Sequence, residues 1–253
     1  MLSIFIQTAS SFKIDPYPKG ASLRETFSMN CLQMTQSQQM LKAYIMIGLK
    51  SKFQNPKKNL AKAIVDYDKR IYQIRDYFNA NFRTKYDKKS FDKAIELWKK
   101  NKEILESEPS KERALLIKKN FLLMILKLLD GTKPLVSSEL KLISLTGKLC
   151  RKPMEITIDY LIRMWGEEIK DYEKNTKIII DKYHENLKEL STNSLNNQET
   201  FRLLEKAKKE FKFFEFMYNS KTKFIPSLLS KKADDNFLII RSIKKIYNNK
   251  QAL

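Results

Sequence analysis

The chain has 253 residues, 42% of them hydrophobic, which is enough to fill one large core or two cores of ordinary size. Its 5 glycines and 7 prolines are few for this length, so long helices are favoured and phosphate-binding glycine loops are disfavoured. The 49 basic and 29 acidic residues give a net charge of +20. Because lysines occur in every segment rather than on one face, we predict no nucleic-acid partner, although an acidic protein surface would suit this charge.

The first half of the sequence predicts a lead-in followed by four helices. A short apolar run over residues 2–6 precedes small residues, as at the end of a signal peptide, so we assign residues 1–20 to a signal-peptide remnant and an extended lead-in. Helices are predicted over 22–53, 56–78, 90–106 and 110–130, with a polar loop over 79–89. The second helix carries one apolar stripe at helical spacing, formed by Leu60, Ile64, Tyr67, Ile71, Ile74 and Phe78.

The second half repeats this order of elements. A fifth helix is predicted over 134–166, kinked at Pro153, and a sixth over 169–190. A seventh follows over 199–218, and an eighth begins after Pro226 with Ser230 or Asp234 as its N-cap. No run is long and apolar enough to predict a transmembrane segment. We therefore predict an all-α fold of two tandem up-down four-helix bundles, with modules over 21–131 and 132–253.

An internal repeat relates the two modules. Shifting the sequence by 116 positions places Tyr44 on Tyr160 and Tyr67 on Tyr183. The same shift places the pair Lys58-Asn59 on Lys174-Asn175. Sliding two amphipathic helices into phase explains matching apolar residues, but it does not explain this Lys-Asn pair and both tyrosines in one frame.

Short motifs occur in both halves, namely Ser37-Gln38-Gln39-Met40-Leu41-Lys42-Ala43-Tyr44 with Gly48, then Trp98, Gly147-Lys148, Ile156, Tyr160-Leu161 and Trp165-Gly166. These motifs resemble a known family, the PilJ-type domain. This is the amino-terminal domain of type IV pili methyl-accepting chemotaxis transducers, and it is akin to nitrate/nitrite sensor modules. The resemblance implies a periplasmic four-helix sensor bundle whose opening helix supplies arginines that hold an anion at a dimer interface.

The chain departs from this family at the positions that would bind the anion. Where the motif has its two arginines, the first copy has Met34 and Gln39, and the second has Cys150 and Glu155. Without these cations the electrostatic reason for binding a small anion is lost. The candidate degenerate ligand-motif face consists of Ser37, Gln38, Lys148 and Arg151.

No residue pattern predicts catalysis, a metal site or a cofactor. His184 has no cysteine or carboxylate at metal-ligand spacing on its helix face. The cysteines, Cys31 and Cys150, lie on corresponding helices of the two halves. They are either buried thiols, the reading we favour, or a disulfide across a seam between the modules. We predict that the protein is not an enzyme.

An aromatic cluster ends the seventh helix and covers more than one of its faces. These residues either fill the core or meet another protein, and the candidate partner interface is Phe213, Phe216 and Tyr218. We predict a periplasmic scaffold or adaptor that binds other envelope or motility proteins, as an accessory structural component of a flagellar motor or pilus-associated machine. The alternatives are a periplasmic ligand-binding sensor module that acts with a separate transducer, and a cytoplasmic polyanion binder.

Overall fold

The structure is a computed structural model that describes residues 16–82, 85–220 and 225–250. Within these ranges the chain forms eight α-helices and no β-strand, which confirms the predicted all-α fold. Most of the predicted signal-peptide remnant, residues 1–15, lies outside the described residues. The helices are α1 (Leu23–Gly48), α2 (Pro56–Asn81), α3 (Lys88–Leu105), α4 (Lys111–Thr132), α5 (Ser138–Met164), α6 (Tyr172–Ser191), α7 (Gln198–Ser220) and α8 (Pro226–Lys250).

The helices pack as two sets of four, α1–α4 and α5–α8. In the first set α1 packs on α2 and α4, and α3 packs on α4. In the second set α5 packs on α6 and α8, and α7 packs on α8. An extensive contact between α1 and α5 joins the sets, and one hydrophobic core runs through both. Each set therefore relies on the other to bury its first helix.

Several helix boundaries differ from the sequence prediction. The first helix ends at Gly48 and not near residue 53, because Lys50 adopts a left-handed conformation with φ 55° and its N–H bonds the carbonyl of Ile47. The loop predicted over 79–89 is shorter than expected, since α2 continues to Asn81 and α3 begins at Lys88. These differences concern helix ends, where apolar periodicity carries little information.

The predicted N-cap of the eighth helix is wrong. The helix begins at Pro226, whose fixed φ and missing N–H suit the first turn of a helix. Ser230 and Asp234 therefore lie inside α8 and are buried, with 2% and 3% of their surface exposed. Asp234 instead forms an ion pair with Lys42 of α1.

The same turn precedes the second helix of each set. The N-cap residues Asn55 and Asp171 are 116 positions apart and both are left-handed, with φ 48° and 55°. One turn into each helix, the side-chain amide of Asn59 donates to the carbonyl of Gln54 at 2.6 Å, and that of Asn175 donates to the carbonyl of Lys170 at 3.2 Å. The asparagine of the repeated Lys-Asn pair thus closes this turn in both halves.

Each set is centred on an aromatic pair between its second and third helices. The ring of Tyr67 lies 4.2 Å from that of Trp98, and Tyr183 stacks on Phe211 at 3.5 Å. All four rings are fully buried. His184, the neighbour of Tyr183, forms a hydrogen bond with Glu215 across the surface at 2.8 Å, which gives this histidine a structural partner.

Candidate functional site

The seam between the two helical sets is formed by α1 and α5, which run parallel. Near their amino-terminal halves, a Cβ added at Gly147 would lie 3.0 Å from Cys31 Cβ. At their carboxyl ends, a Cβ added at Gly48 would lie 2.0 Å from Trp165 Cζ2. The facing residues are 116 or 117 positions apart in the sequence, so equivalent parts of the repeat meet each other. Glycine at both positions allows this close approach.

The first helix, α1, is buried on all sides. It contacts α2, α4, α5 and α8, and every residue from 26 to 46 is buried. Many of its side chains are nevertheless polar. The Gln33 amide donates to the Tyr67 carbonyl at 3.1 Å, and Arg70 donates to Gln36 Oε1 at 2.7 Å. Neither polar atom of the Asn30 side chain has a hydrogen-bond partner among the described residues, which leaves a desolvation cost unrecovered.

The four residues of the predicted ligand-motif face do not lie on one common surface in the structure. Ser37 is buried and donates to the carbonyl of Met34 at 2.8 Å, and Gln38 donates to Glu155 Oε1 at 3.4 Å. Arg151 is only 6% exposed, and its Nη1 lies 3.6 Å from Met34 Sδ. Lys148 is exposed to solvent on another side of α5. Three of the four residues are therefore enclosed by side chains, and the fourth faces water.

Both cysteines lie within the protein as free thiols. Cys31 and Cys150 are 3% and 1% exposed. Burial raises the pKa of both, to about 12 for Cys150, although nearby cations act in the opposite direction. The structure thus corresponds to the buried-thiol reading and holds both thiols in their protonated form.

Lys244 is a buried cation that the sequence analysis missed. Its ammonium donates to the carbonyl of Ser28, and its side chain is 2% exposed. Burial lowers its pKa to about 8, while the neighbouring Cys31 and Cys150 raise it and Arg241 and Arg151 lower it. The signal was present in the sequence, because Lys244 continues the apolar stripe Phe237, Ile240, Lys244, Tyr247.

Replacing Lys244 with methionine is expected to alter the pH dependence of stability. The pKa of Lys244 is about 8 in the folded protein against 10.5 ordinarily, so between these values the unfolded chain binds more protons. Wild type should therefore gain stability relative to the variant as the pH rises through this window, by at most about 1.4 kcal/mol per pH unit. Urea unfolding of both proteins at several pH values measures the difference. Exposed Lys245→Met is the control, and parallel pH profiles for wild type and Lys244→Met would contradict the expectation.

Two ion pairs join a helix of the first set to a helix of the second. Lys42 of α1 binds Asp234 of α8 at 2.5 Å, with 2% and 4% of the side chains exposed. Lys118 of α4 binds Asp159 of α5 at 2.5 Å and is more open, at 34% and 11%. In both pairs the first set supplies the cation and the second set the anion. A shift of 116 positions places Lys118 on Asp234, so these equivalent positions carry opposite charges. No local pattern in the sequence indicates either pair.

A groove lies beside the seam, between α4 and α6 and above α5, and we call it the α4/α6 groove. Its volume is about 300 Å³. Its floor includes Leu41, Phe121 and Ile158, which are apolar and come from both helical sets. Its walls include Leu122 and Ile178, which are 60% and 41% exposed.

The predicted aromatic interface is only partly at the surface. Phe216 is 61% exposed. Phe213 and Tyr218 are half-buried and pack against the core, with the Phe213 ring edge-on to Phe214 at 5.7 Å. Of the three residues, Phe216 offers the large exposed apolar group.

The described ranges contain neither a membrane-spanning helix nor a cluster of metal ligands. No helix there combines the length and the apolar composition needed to cross a membrane. No group of three or more histidine, cysteine, aspartate or glutamate side chains in these ranges could hold a metal ion. No protein-family model, curated protein or solved structure matches the chain.

Proposed function

We propose that the protein is a non-enzymatic scaffold or adaptor built from two PilJ-like helical bundles. The observation that carries this proposal is the closed state of the ligand-motif face. Ser37, Gln38 and Arg151 are 0%, 7% and 6% exposed. In the sensors that the motifs resemble, the anion lies between two copies of the opening helix, and under this proposal α1 and α5 correspond to those two copies. At their seam Met34 of α1 lies against Arg151 of α5, and Gln38 donates to Glu155.

A solute sensor would need a different seam. Arg151 would have to leave Met34, and α1 would have to separate from α5, before an anion could reach the guanidinium. The Lys42–Asp234 and Lys118–Asp159 ion pairs join the two helical sets, which favours a protein that is rigid across the seam. Rigid helical bodies with exposed apolar residues suit the binding of other proteins.

The resemblance to motility transducers supplies the proposed setting. Under this proposal the protein lies in the periplasm and is an accessory structural component of a cell-envelope motility machine, in a flagellar motor or a pilus-associated complex. Its exposed apolar side chains, among them Leu122 and Phe216, provide contact area for envelope partners, and its positive charge favours acidic ones.

Affinity purification of the tagged protein after cross-linking in its native cells tests this function. We expect enrichment of envelope motility components and recovery of the protein in the periplasmic fraction. Recovery as a monomer without an envelope partner would contradict the proposal. A thermal-shift series with nitrate, nitrite and other small anions should show no stabilisation. A shift that Arg151→Ala abolishes would instead support the sensor alternative, and exposed Lys148→Ala is the matched control.

A further inference from the structure

The α4/α6 groove continues into a wider apolar surface on α4. Four leucines lie on the solvent-exposed face of this helix, where polar residues are usual. Their exposed fractions range from 41% to 60%. They are Leu116, Leu122, Leu123 and Leu126. A ligand confined to the groove would leave most of this surface in water, whereas an elongated protein segment would cover both. The surface therefore fits a helix better than a small molecule.

The rim of this surface is positively charged. Lys174 and Lys182 lie one helical turn on either side of Ile178, and Lys119 lies one turn before Leu122 and Leu123. All three lysines are exposed, and none of them forms an ion pair with a described residue.

The carboxylates at the groove are already neutralised. Asp159 binds Lys118 at 2.5 Å, and Glu155 binds Lys152 at 2.8 Å. The remaining field at the rim comes from the exposed lysines, so a partner with acidic residues beside its apolar face is favoured over a basic one.

The equivalent positions on the other flank of the seam carry different side chains. On the other flank the equivalent of Lys118 is Asp234, whose pair with Lys42 is almost completely buried. The equivalent of Ile178 there is Lys62, an exposed lysine in place of an apolar residue. The apolar opening is therefore a property of this flank and not a general consequence of the repeated fold.

We infer that the α4/α6 groove, with the exposed leucines of α4, binds an amphipathic helix of a partner protein whose apolar residues are flanked by acidic ones. Apolar side chains at helical spacing enter between Leu122 and Ile178, and glutamate or aspartate residues on the edges of the helix meet Lys119, Lys174 and Lys182. The inference rests on the proposed scaffold function and names the site and the chemistry of the partner.

A designed peptide tests the inference without knowledge of the natural partner. The probe is a fluorescent amphipathic helix of about five turns, with leucines on one face and glutamates on its flanks. Its matched counterpart replaces every glutamate with lysine. We expect the glutamate peptide to bind the full chain about tenfold or more tightly than the lysine peptide, and to weaken as salt is raised. Fluorescence anisotropy measures both affinities.

Variants locate the binding site on the protein. Leu122→Glu and Ile178→Glu should each weaken binding of the glutamate peptide about tenfold or more. Phe216→Glu is the matched control, because Phe216 is 61% exposed and Leu122 is 60% exposed. Circular dichroism and thermal unfolding establish that each variant remains folded. Lys174→Glu with Lys182→Glu should reverse the preference between the two peptides.

Several results would overturn the inference. These are equal affinity for both peptides, loss of binding in Phe216→Glu but not in Leu122→Glu, and Leu122-dependent binding to anionic vesicles in the absence of peptide binding. Displacement of an apolar dye from the groove by small solutes but not by the peptide would have the same meaning. The scaffold function is tested separately, since native cross-linking to envelope proteins that survives in Leu122→Glu would reject this groove while retaining the function.

Discussion

Replacing Asp234 with alanine is expected to destabilise the protein by about 3–5 kcal/mol, the usual cost of leaving one member of a buried ion pair alone. Lys42 would lose its carboxylate partner in a site where only 2% of its side chain is exposed. The Lys42 ammonium also donates to the Ser230 carbonyl at 3.4 Å, and this neutral acceptor cannot replace the lost carboxylate charge. Because the pair links α1 to α8, both helical sets should unfold together in one shifted urea transition.

Two variants separate the charge from the packing. In Lys42→Met with Asp234→Leu both charges are removed and the volume is kept, so most of the lost stability should return. Lys118→Ala breaks the equivalent but more exposed pair and should cost less, since solvent screens Lys118. A double variant as unstable as Asp234→Ala would show that the loss does not come from an unpaired charge.

Replacing Trp98 with alanine should also cost about 3–5 kcal/mol, because a fully buried aromatic side chain is removed from the core. Its ring packs on Tyr67 at 4.2 Å, and its indole N–H donates to Asp68 Oδ1 at 2.7 Å. The alanine variant leaves a cavity between α2 and α3. Urea unfolding of wild type and variant gives the difference in free energy.

Trp98→Phe is the control for this substitution. It keeps an aromatic ring against Tyr67 and loses the hydrogen bond to Asp68, which Lys102 also binds at 3.0 Å. We therefore expect a loss of about 1–2 kcal/mol for phenylalanine, well below that for alanine. Equal losses for the two variants would mean that the hydrogen bond, and not the packing, stabilises this region.

The fold class could be predicted because most helices have a single apolar stripe. The six residues assigned to the stripe of the second helix, from Leu60 to Phe78, are all buried. The fully buried helix α1 could not be recognised in this way. Glutamines and threonines lie on all of its faces, and their burial depends on four neighbouring helices that are distant in the sequence.

The candidate sites depended still more on distant contacts. The ligand-motif residues were found by resemblance, but the enclosure of Arg151 by α1 needed the α1–α5 seam. The groove brings Leu122 beside Ile178 across 56 positions of sequence, and neither residue stands out from other apolar positions in its helix. Asp234 was assigned to a helix cap because a short acidic pair near a helix start suggests one, whereas a lysine far along the chain determines its role.

The contact between α1 and α8 has a consequence for synthesis on the ribosome. Helix α1 cannot be fully buried until α8 has left the ribosome. Part of its surface is therefore exposed to water during most of translation. A helix with mainly apolar residues on all faces would promote aggregation of the nascent chain during this period. The glutamines, threonines and serines of α1 tolerate water during this delay. Lys42 can form its ion pair with Asp234 only after α8 has been synthesised.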